Sequence, residues 1–212
     1  MKNSKLFFGL GNPELKYRNT RHQMGCKVLD AFRIKFKTTL VEHVEGQYDL
    51  YAYEHTVDGE KCVDYLCYPL TGMNSAGSVL PELSKKLGIE NPEQLIVFYD
   101  DIHLEPGCIR VKKMSENHGG HNGVKSVLEN FGPGWIACKI GIGSPADKSK
   151  LLEWVIGQMD FKSYVMLIHT CVLFVPLIEN FRSYADMNAI QSAFNGMRIV
   201  CEDESTCPQS QS

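Results

Sequence analysis

The 212-residue chain has no excess of positive charge: 22 lysines and arginines stand against 25 aspartates and glutamates, a formal net charge of -3. That balance excludes a protein that grips nucleic acid through its overall field, so any RNA must be held by a few placed cations. Nor is there a Cys-x-x-Cys pair among the eight cysteines, which are scattered from Cys26 to Cys207. Several fall inside apolar periodic runs, where a thiol packs as a small hydrophobe. Free thiols and a reducing compartment, the cytoplasm, are therefore expected. No signal-peptide pattern occupies Met1-Lys2-Asn3-Ser4-Lys5 ahead of Leu6-Phe7-Phe8, which agrees with that expectation. The longest apolar run, residues 164–178, falls short of the ~20 residues a bilayer needs. It carries His169, Thr170 and Pro176, and reads as a buried helix bent or ended near Pro176. With 43% hydrophobic and 22% charged residues, disordered and fibrous classes are excluded as well.

What is present is an alternation of short apolar strands with helices. Residues 6–10 read as a buried strand running into a Gly-Asn-Pro turn. Met24, Val28, Leu29, Phe32 and Phe36 have helical spacing over residues 24–36. Residues 47–53 and 61–68 form two strands around the Asp58-Gly59 turn, a good hairpin signal. Val79, Leu80, Leu83 and Leu87 make a stripe on a helix over 75–87, whose first turns Pro81 loosens. Strands follow at 95–99, 108–112 and 136–142, a helix at 122–131, and two or three helices between 150 and 197. The fold expected is α/β: a single domain over residues 1–198 with a mixed sheet sandwiched between helices, a three-layer α/β/α arrangement of the phosphorylase/hydrolase kind. Residues 199–212 read as a polar, disordered tail.

Chemistry-bearing residues collect where strands end. Asn12 and Tyr17 lie between the first strand and His22; Met73 and Asn74 precede a helix; Asp100 follows a buried strand; His121 and Asn122 close a Gly-Gly loop. A neutral imidazole is a competent base near pH 7, and a carboxylate fixes its tautomer, so His22 with Asp100 is a candidate base pair. Asn12, Asn74 and Asn122 can each donate and accept, and could hold a water and a carbonyl. Asparagine also caps helices, which alone accounts for Asn74 and Asn122. His118 and His121 are separated by glycines, with no Cys-His or Glu-His pattern to complete a site, so neither a metal nor another cofactor is expected. Gly119-Gly120 ahead of a helix is a weak phosphate-loop signal. Arg110, Lys112, Lys113, Lys125 and Lys139 flank this loop, either as a solvated face or as phosphate contacts.

Together the fragments GLGNPELKYRNTRHQMG, MNSAG, YDDIHLEPGCIRVKK, HGGHNGVKS and KIGIGSP resemble the bacterial-type peptidyl-tRNA hydrolases, in order and over nearly the whole length to about Met197. The resemblance implies one α/β domain and metal-free hydrolysis of the ester between a peptide and the terminal ribose of tRNA. It implies a monomer with peptidyl-tRNA as its partner and no membrane. It makes His22 the catalytic base, Asp100 its partner, and Asn12 part of the catalytic set. Asn74 and Asn122 position substrate and water, and Tyr17, Met73 and His121 line the site. Lys113 and Lys139 fall at phosphate contacts, with Arg110 and Lys125 beside them. Three positions depart from the family pattern: Gln23 replaces an asparagine, Ser115-Glu116-Asn117-His118 adds a negative charge, and Lys139 replaces an arginine. The alternative is a non-catalytic RNA binder of the same fold, like plant organelle intron-splicing factors.

Overall fold

Short strands of Val, Ile, Phe and Leu bury both faces, and that requires helices above and below them. The computed structural model describes residues 4–184 and 186–199. In chain order these form β1 (Leu6–Gly9), α1 (Met24–Lys35), β2 (Thr39–Val44), β3 (Tyr48–Val57), β4 (Glu60–Pro69), α2 (Leu80–Leu87), β5 (Leu95–Asp101), β6 (Ile109–Lys113), α3 (Asn122–Phe131) and β7 (Ile136–Gly141). The helices α4 (Leu151–Ile156), α5 (Phe161–Val172), α6 (Val175–Asn180) and α7 (Met187–Phe194) follow. The seven strands make one sheet in the order β2-β3-β4-β1-β5-β7-β6. Its centre, β4-β1-β5-β7, is parallel, and β3, β2 and β6 add antiparallel to the two sides.

After β1 the chain builds one side of the sheet through β4, then crosses to the other side of β1 to lay down β5. The C-terminal ends of β1 and β5 therefore sit where strand order reverses, the place at which open α/β sheets bind ligands. Phe7, Leu66, Ile96, Phe98 and Ile140 bury one face against α1, α5, α6 and α7. Leu6, Phe8, Val97, Tyr99 and Ala137 bury the other against α2 and α3. This is the three-layer α/β/α arrangement expected.

Two elements differ from expectation. Strand β2 carried no signal: it is an edge strand, mostly exposed, with Leu40 and Val41 facing out and a register shift between Leu40 and Glu42, so it lacks period-two burial. The helix expected over 75–87 begins as a 3-10 turn, Met73–Val79, and becomes α-helical only at Leu80, with Pro81 in the first turn where its missing N–H costs nothing. The hairpin strands β3 and β4 pair from Tyr48↔Pro69 to Val57↔Glu60, and Asp58 and Gly59 turn the chain with φ of 50° and 82°, both positive as a type I′ turn needs. The apolar run belongs to a helical stretch, Phe161–Ser183, long and apolar enough to cross a membrane by length and composition. It breaks between α5 and α6, Pro176 lies in the first turn of α6, and Leu167, Cys171, Phe174 and Ile178 are buried in the core. Of the polar tail expected over residues 199–212, Ile199 donates its N–H to the Gly107 carbonyl at 2.9 Å, and residues 200–212 lie outside the described residues.

One close approach fixes the geometry that matters most. At Gly25, in the first turn of α1, a Cβ would come within 2.2 Å of the Phe98 carbonyl oxygen and 2.5 Å of that of Leu10. Backbone on backbone cannot yield as a side-chain tip can, so glycine lets α1 begin directly over the ends of β1 and β5. Gly25→Ala is expected to destabilise the fold by about 1–3 kcal/mol, the range for overpacking. Urea denaturation checks this; an unchanged midpoint would mean the helix sits less tightly than described.

Candidate active site

Asp100 is the penultimate residue of β5 and only 2% exposed. Two imidazoles reach it from opposite faces of the sheet. His22, in the 3-10 turn Arg21–Gln23 that leads into α1, places Nδ1 3.0 Å from Oδ1 and 3.1 Å from Oδ2. His121, immediately before α3, places Nε2 3.2 Å from Oδ1. The two rings lie 4.8 Å apart between centroids. The pairing expected of His22 and Asp100 is present, and the structure adds His121 to it. Sequence gave no sign of that second contact, because a loop histidine's partner depends on where the loop lands.

Burial raises the pKa of a carboxyl, yet the two imidazoles, His22 first and then His121, overcome it and hold Asp100 well below the usual carboxylate range. For His22 burial opposes protonation, but the Asp100 charge and hydrogen bond outweigh it and the imidazole pKa is raised. With Nδ1 directed to the carboxylate, Nδ1–H donates and Nε2 keeps its lone pair, the arrangement of a general base.

The asparagines divide into two kinds. Asn12 Oδ1 accepts the Met73 N–H at 2.9 Å, which identifies that atom as oxygen and leaves the Nδ2 donors without a partner among the described residues. Gln23, the departure from the family asparagine, accepts the Asn12 N–H through Oε1 at 2.8 Å, so its longer amide still holds the Asn12 segment. Asn74 and Asn122 are exposed, and among the described residues neither side chain makes a hydrogen bond or caps a helix. His121, not Asn122, is the N-cap of α3. The capping account of these asparagines therefore does not hold. Each stands one residue from a group tied to the centre: Asn74 follows Met73, and Asn122 follows His121. Met73 is itself buried, its sulfur where a Cβ on Gly123 would be 2.4 Å away. Tyr17 is half-buried on the turn between Asn12 and His22, with no hydrogen bond to the trio.

A strap absent from the sequence reading holds the His22 segment. The Arg21 guanidinium lies 3.6 Å from the Trp154 ring centroid and donates to the Trp154 carbonyl at 3.1 Å. Trp154 Nε1 in turn donates to the carbonyls of Ile142 and Gly143, just past β7. Thr20 bridges to Gln158 alongside. The periodic pattern of α4 is too short to announce this role.

The basic residues do not form one patch. Lys113 ends β6 opposite Ile136, which is level with Ile96; it stands four residues, roughly 13 Å, along the sheet from Asp100 and pairs with Glu93 at 2.7 Å. Lys139 is largely buried and pairs with Asp101 beside the site. Lys125 is exposed one turn into α3 and meets Glu129 at 3.8 Å. Arg110 is exposed and has no ion pair among the described residues. His118, the other half of the His-Gly-Gly-His pattern, bonds locally, its Nδ1 accepting the Gly120 N–H at 3.1 Å.

A mixed sheet whose parallel strands end at a histidine–carboxylate pair is the framework of a hydrolase. The family model described as peptidyl-tRNA hydrolase matches residues 6–200, and the chain belongs to that family. It is 32% identical to the peptidyl-tRNA hydrolase of Fusobacterium nucleatum over 182 residues, 83% of this chain and 91% of that one. It is 36% identical to that of Oceanobacillus iheyensis over 156 residues, 73% and 79% of the two chains. The crystal structure of peptidyl-tRNA hydrolase from Acinetobacter baumannii superposes with a TM-score of 0.79 at 26% identity, covering 93% of this chain and 97% of that one. These similarities do not favour the reading as a non-catalytic RNA binder.

The Asn12 geometry separates its two ends. Asn12→Asp keeps the oxygen that holds Met73 but replaces the free donor with a second, charged oxygen. Turnover is expected to fall about 10²–10³-fold, as when one donor to a developing oxyanion is lost, with the melting temperature little changed. Loss of folding at unchanged turnover per folded molecule would place Asn12 in the scaffold instead.

Proposed function

We propose that the chain cleaves the ester between a peptide and the terminal ribose of tRNA, with His22 as general base, Asp100 as its orienting carboxylate, and Asn12 as donor to the reacting carbonyl. The observation that carries this is the His22–Asp100 contact at 3.0 Å. His22 Nε2 takes a proton from water as the oxygen attacks the ester carbonyl. The tetrahedral oxyanion is stabilised by the Asn12 Nδ2 donors, with Asn74 and Asn122 supplying further amides from the adjoining segments. Collapse breaks the bond to the ribose oxygen, which takes the proton back from the His22 imidazolium. The products are the peptide carboxylate and tRNA. Tyr17 and Met73 shape the wall around the ester.

The tRNA approaches over α3, where exposed Lys125 has only the solvent-exposed 3.8 Å contact to Glu129 to exchange and Arg110 has no ion pair among the described residues. Lys113 reaches phosphate only by exchanging Glu93 for it, and Lys139 acts through Asp101 rather than as a free cation. Affinity then rests on few counterion-releasing contacts, each worth a slope of about 0.7–0.9 in log affinity against log salt.

His22→Ala is expected to lower kcat on peptidyl-tRNA at least ~100-fold, the low end of general-base contributions. Release of labelled peptide checks it, and near-wild-type turnover by the variant would remove His22 from the mechanism.

Because the base works only when neutral, kcat/KM should rise with pH through the raised pKa of His22, above the ordinary value of about 6.5. Asp100→Asn removes the charge that raises it, so the acidic limb should move down in pH while the plateau falls. A limb that stays in place or moves up would show that Asp100 does not set the basicity of His22.

A further inference from the structure

His121 has both ring nitrogens engaged. Nδ1 accepts the Val124 N–H at 3.2 Å, as the cap of α3, and Nε2 faces Asp100 Oδ1 at 3.2 Å. A nitrogen that accepts carries no proton, and a neutral imidazole has one to place, so it sits on Nε2. We propose that His121 is a positioning residue, its proton fixed on Nε2 by the first turn of α3, so that it donates permanently to Asp100 and serves neither as a base nor as a metal ligand. The inference rests on the reading of His22 and Asp100 as the base pair and adds what holds that pair's carboxylate.

Two features of the helix terminus enforce this. Protonating Nδ1 would set an N–H against the Val124 N–H and leave a buried donor unpaired. It would also put a cation at the positive end of the α3 dipole. The neutral Nε2–H form is the one that satisfies every partner. Oδ1 of Asp100 then receives N–H groups from both His22 and His121, and His121 shares the carboxylate's charge with His22. The neighbouring groups do not compete: Asp101 is taken by Lys139, and Tyr99 meets His121 through its ring edge at 5.3 Å.

Ligand atoms of His22, Asp100 and His121 lie within 4.8 Å of one another, as a two-histidine, one-carboxylate metal set would. Ligation through His121 Nε2 needs a lone pair there, and therefore the proton moved to Nδ1 and the α3 cap broken. The site holds protons where such a centre would hold an ion.

The test uses the full-length chain, uniformly labelled with ¹⁵N. Long-range ¹H–¹⁵N correlation above the titration range of histidine should show His121 as the Nε2–H tautomer. His121→Asn keeps an oxygen able to cap α3 but is too short to reach Asp100. Its melting temperature should stay near wild type, while the acidic limb of kcat/KM moves up by on the order of half a pH unit as Asp100 turns wholly to His22, with KM unmoved. A Nδ1–H tautomer, or an unmoved limb with a raised KM, would overturn the proposal. The tautomer measurement needs no substrate, so its failure is distinct from failure of the hydrolase reading, which would show as wild-type protein inactive on peptidyl-tRNA.

Discussion

A carboxylate that is 2% exposed at the end of a central strand cannot remain charged unless donors reach it, and everything about this site follows from how Asp100 is supplied with them. Among the described residues, none of the hydrogen-bond donors to its carboxylate comes from β5 itself. They come instead from the segments that open α1 and α3, which lie on opposite faces of the sheet. Each face's apolar packing therefore sets one half of the ion's coordination. The Gly25 contact brings α1 down onto β1 and β5. On the other face, a Cβ at Gly77 would stand 2.2 Å from the Ser126 carbonyl oxygen, and the Ser126 hydroxyl accepts the Gly77 N–H at 2.9 Å. That pair docks the Met73–Val79 turn onto α3, and so joins Met73, which holds Asn12, to the element that carries His121.

The cysteines and the remaining buried charges support this frame without entering the chemistry. Cys26, Cys67, Cys138 and Cys171 are buried and free, and burial pushes their thiols up, away from reactivity. Asp64, 1% exposed, ties the far end of the sheet together: His55 meets it at 2.8 Å, and Arg182 and the Lys5 N–H also donate to it. On the outer edge, Asn195 behaves like a missing strand. Its side-chain amide pairs with both the N–H and the carbonyl of Val111, which closes β6 against further pairing.

Much of this was legible from the residues. The strands β1 and, up to Tyr99, β5 are continuous apolar runs, β7 is apolar but for Lys139, and α1 has clear periodicity, because burial on a sheet or helix face writes directly into the sequence. The His22–Asp100 pair was legible since both follow buried strands and both stand in motifs of a known family. Strand β2 was not, because an exposed edge has no buried face to show. His121 as a partner of Asp100, and Trp154 as the clamp on Arg21, depend on contacts between segments far apart in the chain, which no local pattern encodes. The basic residues misled for the same reason: neighbours in sequence, they run along β6 and β7 and face different partners, Glu93 for Lys113 and Asp101 for Lys139.

The central claim is that Asp100 stays ionised at the heart of the site because two imidazoles hold it so. Its side-chain carboxyl carbon can be followed directly by ¹³C NMR as the folded protein is acidified. The account predicts a signal that keeps its ionised position below the pH at which ordinary aspartates titrate, near 3.9. A titration step at or above that value would contradict it, and would leave His22 without the charge that sets its basicity.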